Sequence, residues 1–439
     1  MTIRKKFSEI FPGWWLNIVT GLYSGLGHGF YGYGVSVLFK PLSIDLGLNR
    51  AGTAWATGIG RLQGSAEAPI TGWLSDRFGP RWVIVAGTFI AASGLLLMYF
   101  IRSSWAYYLV WGVVTAIGMN LALTIAVDKA LTDWFIRKRG LALGIRFVII
   151  GGCGVIVLPI ISWLVTTYDW RVTCLIWSVV MFTGVPMMWR FVKQKRPEYY
   201  GLLPDGVKVE SEERMDLDTM IGRGVEYAAE FDETEFTLRQ ALKTPAYWLI
   251  TISWIFAMVV AGAINTHCIP LLTDMGIDEN VASGMMAMMV FFTIPARFAA
   301  GVLADRVRKD RLQFLVAGTF VLQALGIGIF LLHQSVVTVY VFLVLYGFGS
   351  GGPAPLRLTI GGRYFGRKAF ASIQGTSMVL TAPVALLSPV YAGWVYDNTG
   401  DYIPAFTTFV VMVLIAAVLM SLMRPPKPPE QVTDIRKFL

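Results

Sequence analysis

Twelve stretches of about 20 mostly apolar residues recur along the chain, each long enough to cross the hydrocarbon of a bilayer as a helix. They lie near residues 14–38, 52–74, 82–101, 105–132, 140–166, 171–192, 245–272, 280–303, 312–332, 336–362, 370–396 and 403–423. In lipid a backbone N–H or C=O has no water to turn to, so segments of this length can span only as helices. Composition agrees. The chain is 55% hydrophobic and 15% charged, against roughly 25% charge in a soluble domain, and its mean hydropathy is +0.59. Too few polar groups exist to cover a water-facing surface, which predicts an all-α membrane protein.

One long hydrophilic stretch, carrying KQKRPEYYGLLPDG and SEERMDLDT, separates the sixth span from the seventh. It divides the chain into an N-terminal six-helix bundle (1–192), a linker (193–244), a C-terminal six-helix bundle (245–423) and a tail (424–439). The start, MTIRKKFSEIFPGWW, is basic and then apolar for long enough to span, so it reads as a retained first helix rather than a cleaved signal.

Lysine and arginine set the orientation. With the N-terminus in the cytoplasm, 28 of the 37 fall on the cytoplasmic side, counting Arg190 with the linker, and four outside: Lys40, Arg50, Arg102 and Arg171. Both termini are then cytoplasmic, in a multi-pass protein of the cell (inner) membrane. The net charge of +9 is topological and implies no nucleic acid. Cys153, Cys174 and Cys268 all sit in apolar segments and fit neither a zinc spacing nor a disulfide framework. No cofactor motif, P-loop or hydrolase signature is present, so the chain reads as neither an enzyme nor an ATP-driven pump.

The two bundles repeat each other. GWLSDRFGPR from Gly72 after the second span matches GVLADRVRKDR from Gly301 after the eighth, which places Asp76 and Asp305 229 residues apart. DWFIRKRGLALG after the fourth span matches RYFGRKAFASIQG after the tenth. Duplicated bundles of this kind rock about a central site.

Gly72, Leu74, Asp76, Arg77, Gly79 and Arg81 together resemble the signature loop of the major facilitator superfamily, with Pro80 where the family usually has a basic residue. The resemblance implies a twelve-helix fold in which Asp76 and Arg81, with Asp305 in the second copy, hold a cytoplasmic gate shut. Trp134–Gly144 is similar to a signature of the monocarboxylate transporters. Pro295-Ala296-Arg297-Phe298 followed by Gly301 resembles the region whose arginine binds the substrate carboxylate in that family. Pro12-Gly13-Trp14-Trp15 and Phe39-Lys40-Pro41-Leu42 fit the same group and the related oxalate–formate exchangers, in a bacterial-type member. Thr293 and Tyr33 stand where animal monocarboxylate transporters have an aspartate and a lysine, and no cation occurs in the eleventh span. The resemblance thus implies the anion-binding arginine without the family's proton-coupling residues.

Seven charges lie within the spans: Arg61, Glu67, Asp128, Lys129, Arg146, Arg297 and Arg357. An ionised group at that depth needs water or a partner. Five are positive, which favours an anion, and arginine offers a carboxylate two parallel hydrogen bonds. Asp128 and Arg146 come to similar depth and are expected to pair structurally or as a gate, with Arg357 the repeat partner of the Asp128 region. Arg297, Arg61, Tyr31, Tyr33 and Asn120 are the candidate substrate contacts. Glu67, His28 and His267 are the candidate coupling groups, although a lone histidine is more often a hydrogen-bonded packing residue. The run GFGSGGPAP, from Gly347, reads as close helix packing or as a hinge. The expectation is a monomeric carrier of a small monocarboxylate-like anion, working by proton symport or anion exchange. An exporter of drugs or other solutes and a solute-sensing receptor on the same fold are the alternatives.

Overall fold

The structure is a computed structural model and describes residues 10–207, 216–231 and 233–428. Twelve helical segments occupy the expected places. They are α1 (Pro12–His28, continuing through a π-helical Gly29–Gly34 into Val35–Asp45), α2 (Arg50–Phe78), α3 (Pro80–Met98), α4 (Ser104–Trp134), α5 (Arg139–Thr167) and α6 (Trp170–Phe191). After the linker come α7 (Pro245–Asp274), α8 (Glu279–Arg306), α9 (Leu312–Leu332), α10 (Val336–Phe365), α11 (Phe370–Thr399) and α12 (Ile403–Leu422). Among the described residues, ten of these are long and apolar enough to cross a bilayer. The other two are α1, diluted by glycine, Asn17 and His28, and α2, diluted by glycine, alanine and the charged Arg61 and Glu67.

Local signals set most helix starts. Asn49, Ser103, Asp169, Thr244 and Ser335 accept backbone N–H groups at the first turns of α2, α4, α6, α7 and α10. Gly79, at φ +81°, and Pro80 make the turn into α3. The first turns of α5 and α11 have no capping side chain of their own, and they are satisfied from across the molecule, as described below.

Buried apolar side chains form two main clusters. One draws on α1–α6 and adds Leu358 and Phe370, and the other runs from Phe236 to Met423. The two sets of six helices meet along α2 against α11 and α5 against α8. Glycine permits the approach: Gly72 lies on the backbone of Ala371 and Ser372, Gly375 on Ala68 and Pro69, and Gly140 on Gly301. These meeting points lie toward the end of the helices nearest the linker. Among the described residues, the first and seventh helices form no extensively packed pair. The described structure is therefore closed on the linker face. The glycine run of α10 stays helical on both sides of Gly352. Its glycines face α8 and α9, with Gly347 on Met289, Gly349 on Thr319 and Gln323, and Gly351 on Thr293, so close packing accounts for the run.

The linker is more than a divider. It makes turns at Pro197–Tyr200 and Pro204–Gly206, then two helices, Leu217–Glu230 and Leu238–Leu242. Glu198, Asp205 and Phe236 within it are buried.

Candidate translocation site

A charged layer crosses the bundle about two turns in from the linker-side ends of α4, α5 and α10. Helix α4 breaks at Thr124, whose φ/ψ of −118°/−113° is not helical. Val127 bonds to Thr124 instead of Leu123, which leaves the Leu123 carbonyl free. Arg146 of α5 fills the gap. It donates to that carbonyl at 2.7 Å, to the Asp128 carboxylate and, at 3.5 Å, to Ser24 of α1. The expected Asp128–Arg146 pair is present, buried and anchored on three helices.

Arg297 of α8 is half-buried beside this layer. Its Nη1 donates to the Phe147 carbonyl of α5 at 3.4 Å and lies over Gly151. Phe147 directly follows Arg146, so Arg297 and the Asp128–Arg146 pair adjoin. Arg357 of α10 comes within electrostatic reach of Asp128, and Trp254 of α7 covers its guanidinium at 4.7 Å. Trp254 was not singled out from the sequence. Its signal was an aromatic residue in a cavity-lining helix, which apolar spans supply too often to be diagnostic.

Two glycines on α2 shape the other wall. Gly60 admits the Tyr31 ring and Gly64 admits the Asn120 amide, places a side chain would fill. Tyr31 stacks near Trp111 at 4.9 Å, and its buried hydroxyl has no hydrogen-bond partner. Arg61, on the exposed surface of α2, is within electrostatic reach of that hydroxyl. Tyr33 lies on the π-helical stretch, and its side chain is outside the described residues. Glu67 is buried and held by Gln63 and, at 3.5 Å, Thr71, without an ion pair among the described residues.

The two histidines part company. His28 bonds to the Ser24 carbonyl one turn back, at 2.8 Å, close to Arg146. His267 uses both ring nitrogens on Tyr402 (3.1 Å) and the Pro389 carbonyl (2.9 Å), tying α7 to α11 and α12. The structure does not bring it together with the charged layer.

The repeated aspartates lie on the linker face, where the two six-helix sets meet. Asp76 accepts from the amides of Ala371 (3.3 Å) and Ser372 (2.8 Å) and from the Ser372 hydroxyl (2.7 Å), at the start of α11. Asp305 accepts from the amides of Gly140 and Leu141, both at 2.7 Å, at the start of α5. Each carboxylate thus caps a helix of the opposite six-helix set, where the helix dipole favours negative charge. Lys129 knits the area further, reaching Asp133 at 2.8 Å, Asp76 at 3.7 Å and the Arg367 carbonyl. Arg81 does not take part. It was grouped with Asp76, but it lies 3.9 Å over the Trp189 ring of its own bundle and makes no ion pair among the described residues. An aromatic face one helix away competes successfully for a guanidinium.

The linker supplies a second layer of closure that the sequence reading missed. Glu198 pairs with Arg367 (3.2 Å), Glu233 with Arg139 (2.8 Å) and Glu235 with Arg196 (3.2 Å) and the Lys368 amide (2.5 Å). Asp205, at φ +61°, takes the amides of Ile136, Arg137 and Lys138. The prolines and glycines around Asp205 were the available signal, since they punctuate built turns rather than a loose tether.

A duplicated helical bundle, a buried cationic layer and a face sealed by symmetry-related caps define a multi-pass membrane transporter. The profile described as Major Facilitator Superfamily matches residues 22–382 and 269–438. The chain belongs to that superfamily, whose members are transporters rather than enzymes. It is 25% identical over 401 residues to Monocarboxylate transporter 12 of Xenopus laevis, covering 88% of this chain and 84% of that one. It is 22% identical over 413 residues to Monocarboxylate transporter 2 of Homo sapiens, covering 92% and 84%. These vertebrate relatives give no support to a bacterial-type origin. Among solved structures, the proton:xylose symporter XylE superposes with a TM-score of 0.72 at 11% identity, covering 95% of this chain and 96% of that one. FucP, in an outward conformation, superposes at 0.70 and 13%, covering 94% and 99%. These likenesses show the fold.

Proposed function

We propose that this transporter carries a small monocarboxylate-like organic anion across the cell membrane by alternating access, as proton symport or anion exchange. The observation that carries the reading is the interior charge balance. Arg146, Arg297 and Arg357 lie near one another in the interior; Arg146 neutralises Asp128, Arg357 is within electrostatic reach of it, and Arg297 adjoins the pair through Phe147. A surplus of guanidinium groups with planar forks suits a carboxylate. The distant relationship to monocarboxylate transporters supports the same ligand class.

In this reading Arg297 meets the anion, and Tyr31, Tyr33, Asn120 and Arg61 complete the contact from the α1–α2–α4 side. Glu67 and His28 are the groups placed to move a proton. His267 is the weaker candidate because its ring is consumed by packing. Asp76 and Asp305 hold the linker face closed and let go when the two bundles, 1–192 and 245–423, rock apart. The linker face is the cytoplasmic one.

Counterflow of labelled lactate and acetate into proteoliposomes tests the proposal. Wild-type protein is expected to show saturable uptake, and Arg297→Ala is expected to abolish it. Saturable carboxylate uptake that survives in Arg297→Ala would overturn the assignment of Arg297. A protonophore added to the same assay separates symport from exchange.

A further inference from the structure

Arg357 differs from the other interior cations. It is only 7% exposed, yet its Nε and Nη2 have no hydrogen-bond partner, and it joins no salt bridge among the described residues. Those two nitrogens are not an arbitrary pair. Their N–H groups project in parallel from one edge of the guanidinium, the edge that grips a carboxylate with two hydrogen bonds. Trp254 shields one face of the group at 4.7 Å. The nearest acid, Asp128, is already bonded to Arg146. An enclosed donor pair without an acceptor is costly in a settled interior. It becomes intelligible when the acceptor arrives with a ligand.

Depth relates this edge to Arg297. Gly351 of α10 rests against Thr293 and Ala296 of α8, and both helices run toward the linker face. Six residues further along α10 is Arg357, while Arg297 is only one residue past Ala296. At about 1.5 Å of rise per residue, Arg357 lies about 3–8 Å nearer the linker face than Arg297, counted from Thr293 or from Ala296. The two guanidinium groups thus come from adjoining helices to the same Asp128–Arg146 pair, one from each side in depth.

We propose that the Nε–Nη2 edge of Arg357 is a second anion subsite, which takes the far carboxylate of a short dicarboxylate while Arg297 holds the near one. The inference rests on the carboxylate reading above and narrows it. A monocarboxylate would use Arg297 alone. A dicarboxylate would bridge α8 and α10 and satisfy the buried fork in the same event.

The test uses full-length protein in proteoliposomes, with labelled lactate on one arm and labelled malonate or succinate on the other. Wild type is expected to take up the dicarboxylate saturably. Arg357→Gln is expected to lower the ratio of dicarboxylate to lactate uptake by about tenfold or more, the scale of a lost charged, two-pronged hydrogen bond. Arg357→Lys, which keeps the charge and loses the fork, is expected to lower that ratio by less. Thermal unfolding in detergent provides a readout that does not depend on the variant folding. Malonate is expected to raise the wild-type midpoint more than lactate at equal concentration. Lactate uptake without dicarboxylate uptake by wild type, equal midpoint shifts, or an equal loss of both substrates in Arg357→Gln would each overturn the subsite and leave the carboxylate reading standing. Failure of wild type to carry either class would overturn both.

Discussion

An arginine enclosed in a helical bundle has to find acceptors or water, and three arginines here meet that demand differently. Arg146 spends its donors on Asp128 and on a carbonyl freed by the break in α4. Arg297 reaches a backbone carbonyl on the neighbouring α5. Arg357 keeps one edge unsatisfied. Removing one partner of a buried pair costs more than removing both, because a lone charge is left in a low-dielectric interior. Asp128→Asn alone is therefore expected to destabilise the protein by about 3 kcal/mol or more. The double variant Asp128→Asn/Arg146→Gln should recover much of that loss, as read by thermal unfolding in detergent. Glu67 has hydrogen-bonding neighbours but no counter-charge among the described residues. Glu67→Gln is expected to retain counterflow while uptake no longer responds to an imposed pH gradient; an unchanged response would remove Glu67 from the coupling path. His267 is engaged on both nitrogens, so His267→Gln should leave the pH profile of uptake as it is and cost about 1 kcal/mol of stability.

At the level of helices, α5 and α11 start without caps of their own and borrow Asp305 and Asp76 from across the interface. Two helix starts are thereby made to depend on the closed arrangement. A carboxylate at a helix N-terminus contributes about 0.3–1 kcal/mol, and more when partly buried. Asp76→Asn with Asp305→Asn is therefore expected to shift the population away from linker-face closure by roughly tenfold. Alkylation of a cysteine placed at Gly144, which packs against α8 in the closed state, should then speed up. The repeat of the two aspartates was plain in the sequence. Their acceptor role was not, because the partners are backbone amides, which have no sequence signature. Arg81 shows the converse: motif membership predicted a gate contact, and the nearer Trp189 ring took the side chain.

Across the whole molecule, the linker bonds to the loops that lead into α5 and α11. Burial pushes the Glu235 carboxyl up, but Arg196, Arg367 and the Lys368 amide together hold it below the usual glutamate range. Burial by itself would lower Arg367, yet Glu233, Glu198 and Glu235 raise it above the ordinary arginine value. A depressed carboxylate contributes stability that is fully present above the unfolded value, about 4.3 for glutamate, and is lost as pH falls through the folded one. Proteolysis within 197–207 and 233–242 is expected to be slow at neutral pH and to accelerate below about pH 4. Glu235→Gln should remove part of that pH dependence.

Twelve helical segments and their duplication were legible in the residues because hydrophobic length acts locally, on each segment against lipid. The surplus of arginines where few charges are tolerated was legible too. Which charges meet was left to the tertiary structure. It joined Asp128 to Arg146, drew His267 into packing against α11 and α12, folded the linker onto the bundle and left the fork of Arg357 open. Those outcomes depend on helix rotation, on a break at Thr124 and on backbone acceptors. Apolar periodicity in a helix surrounded by other apolar helices carries no record of any of these.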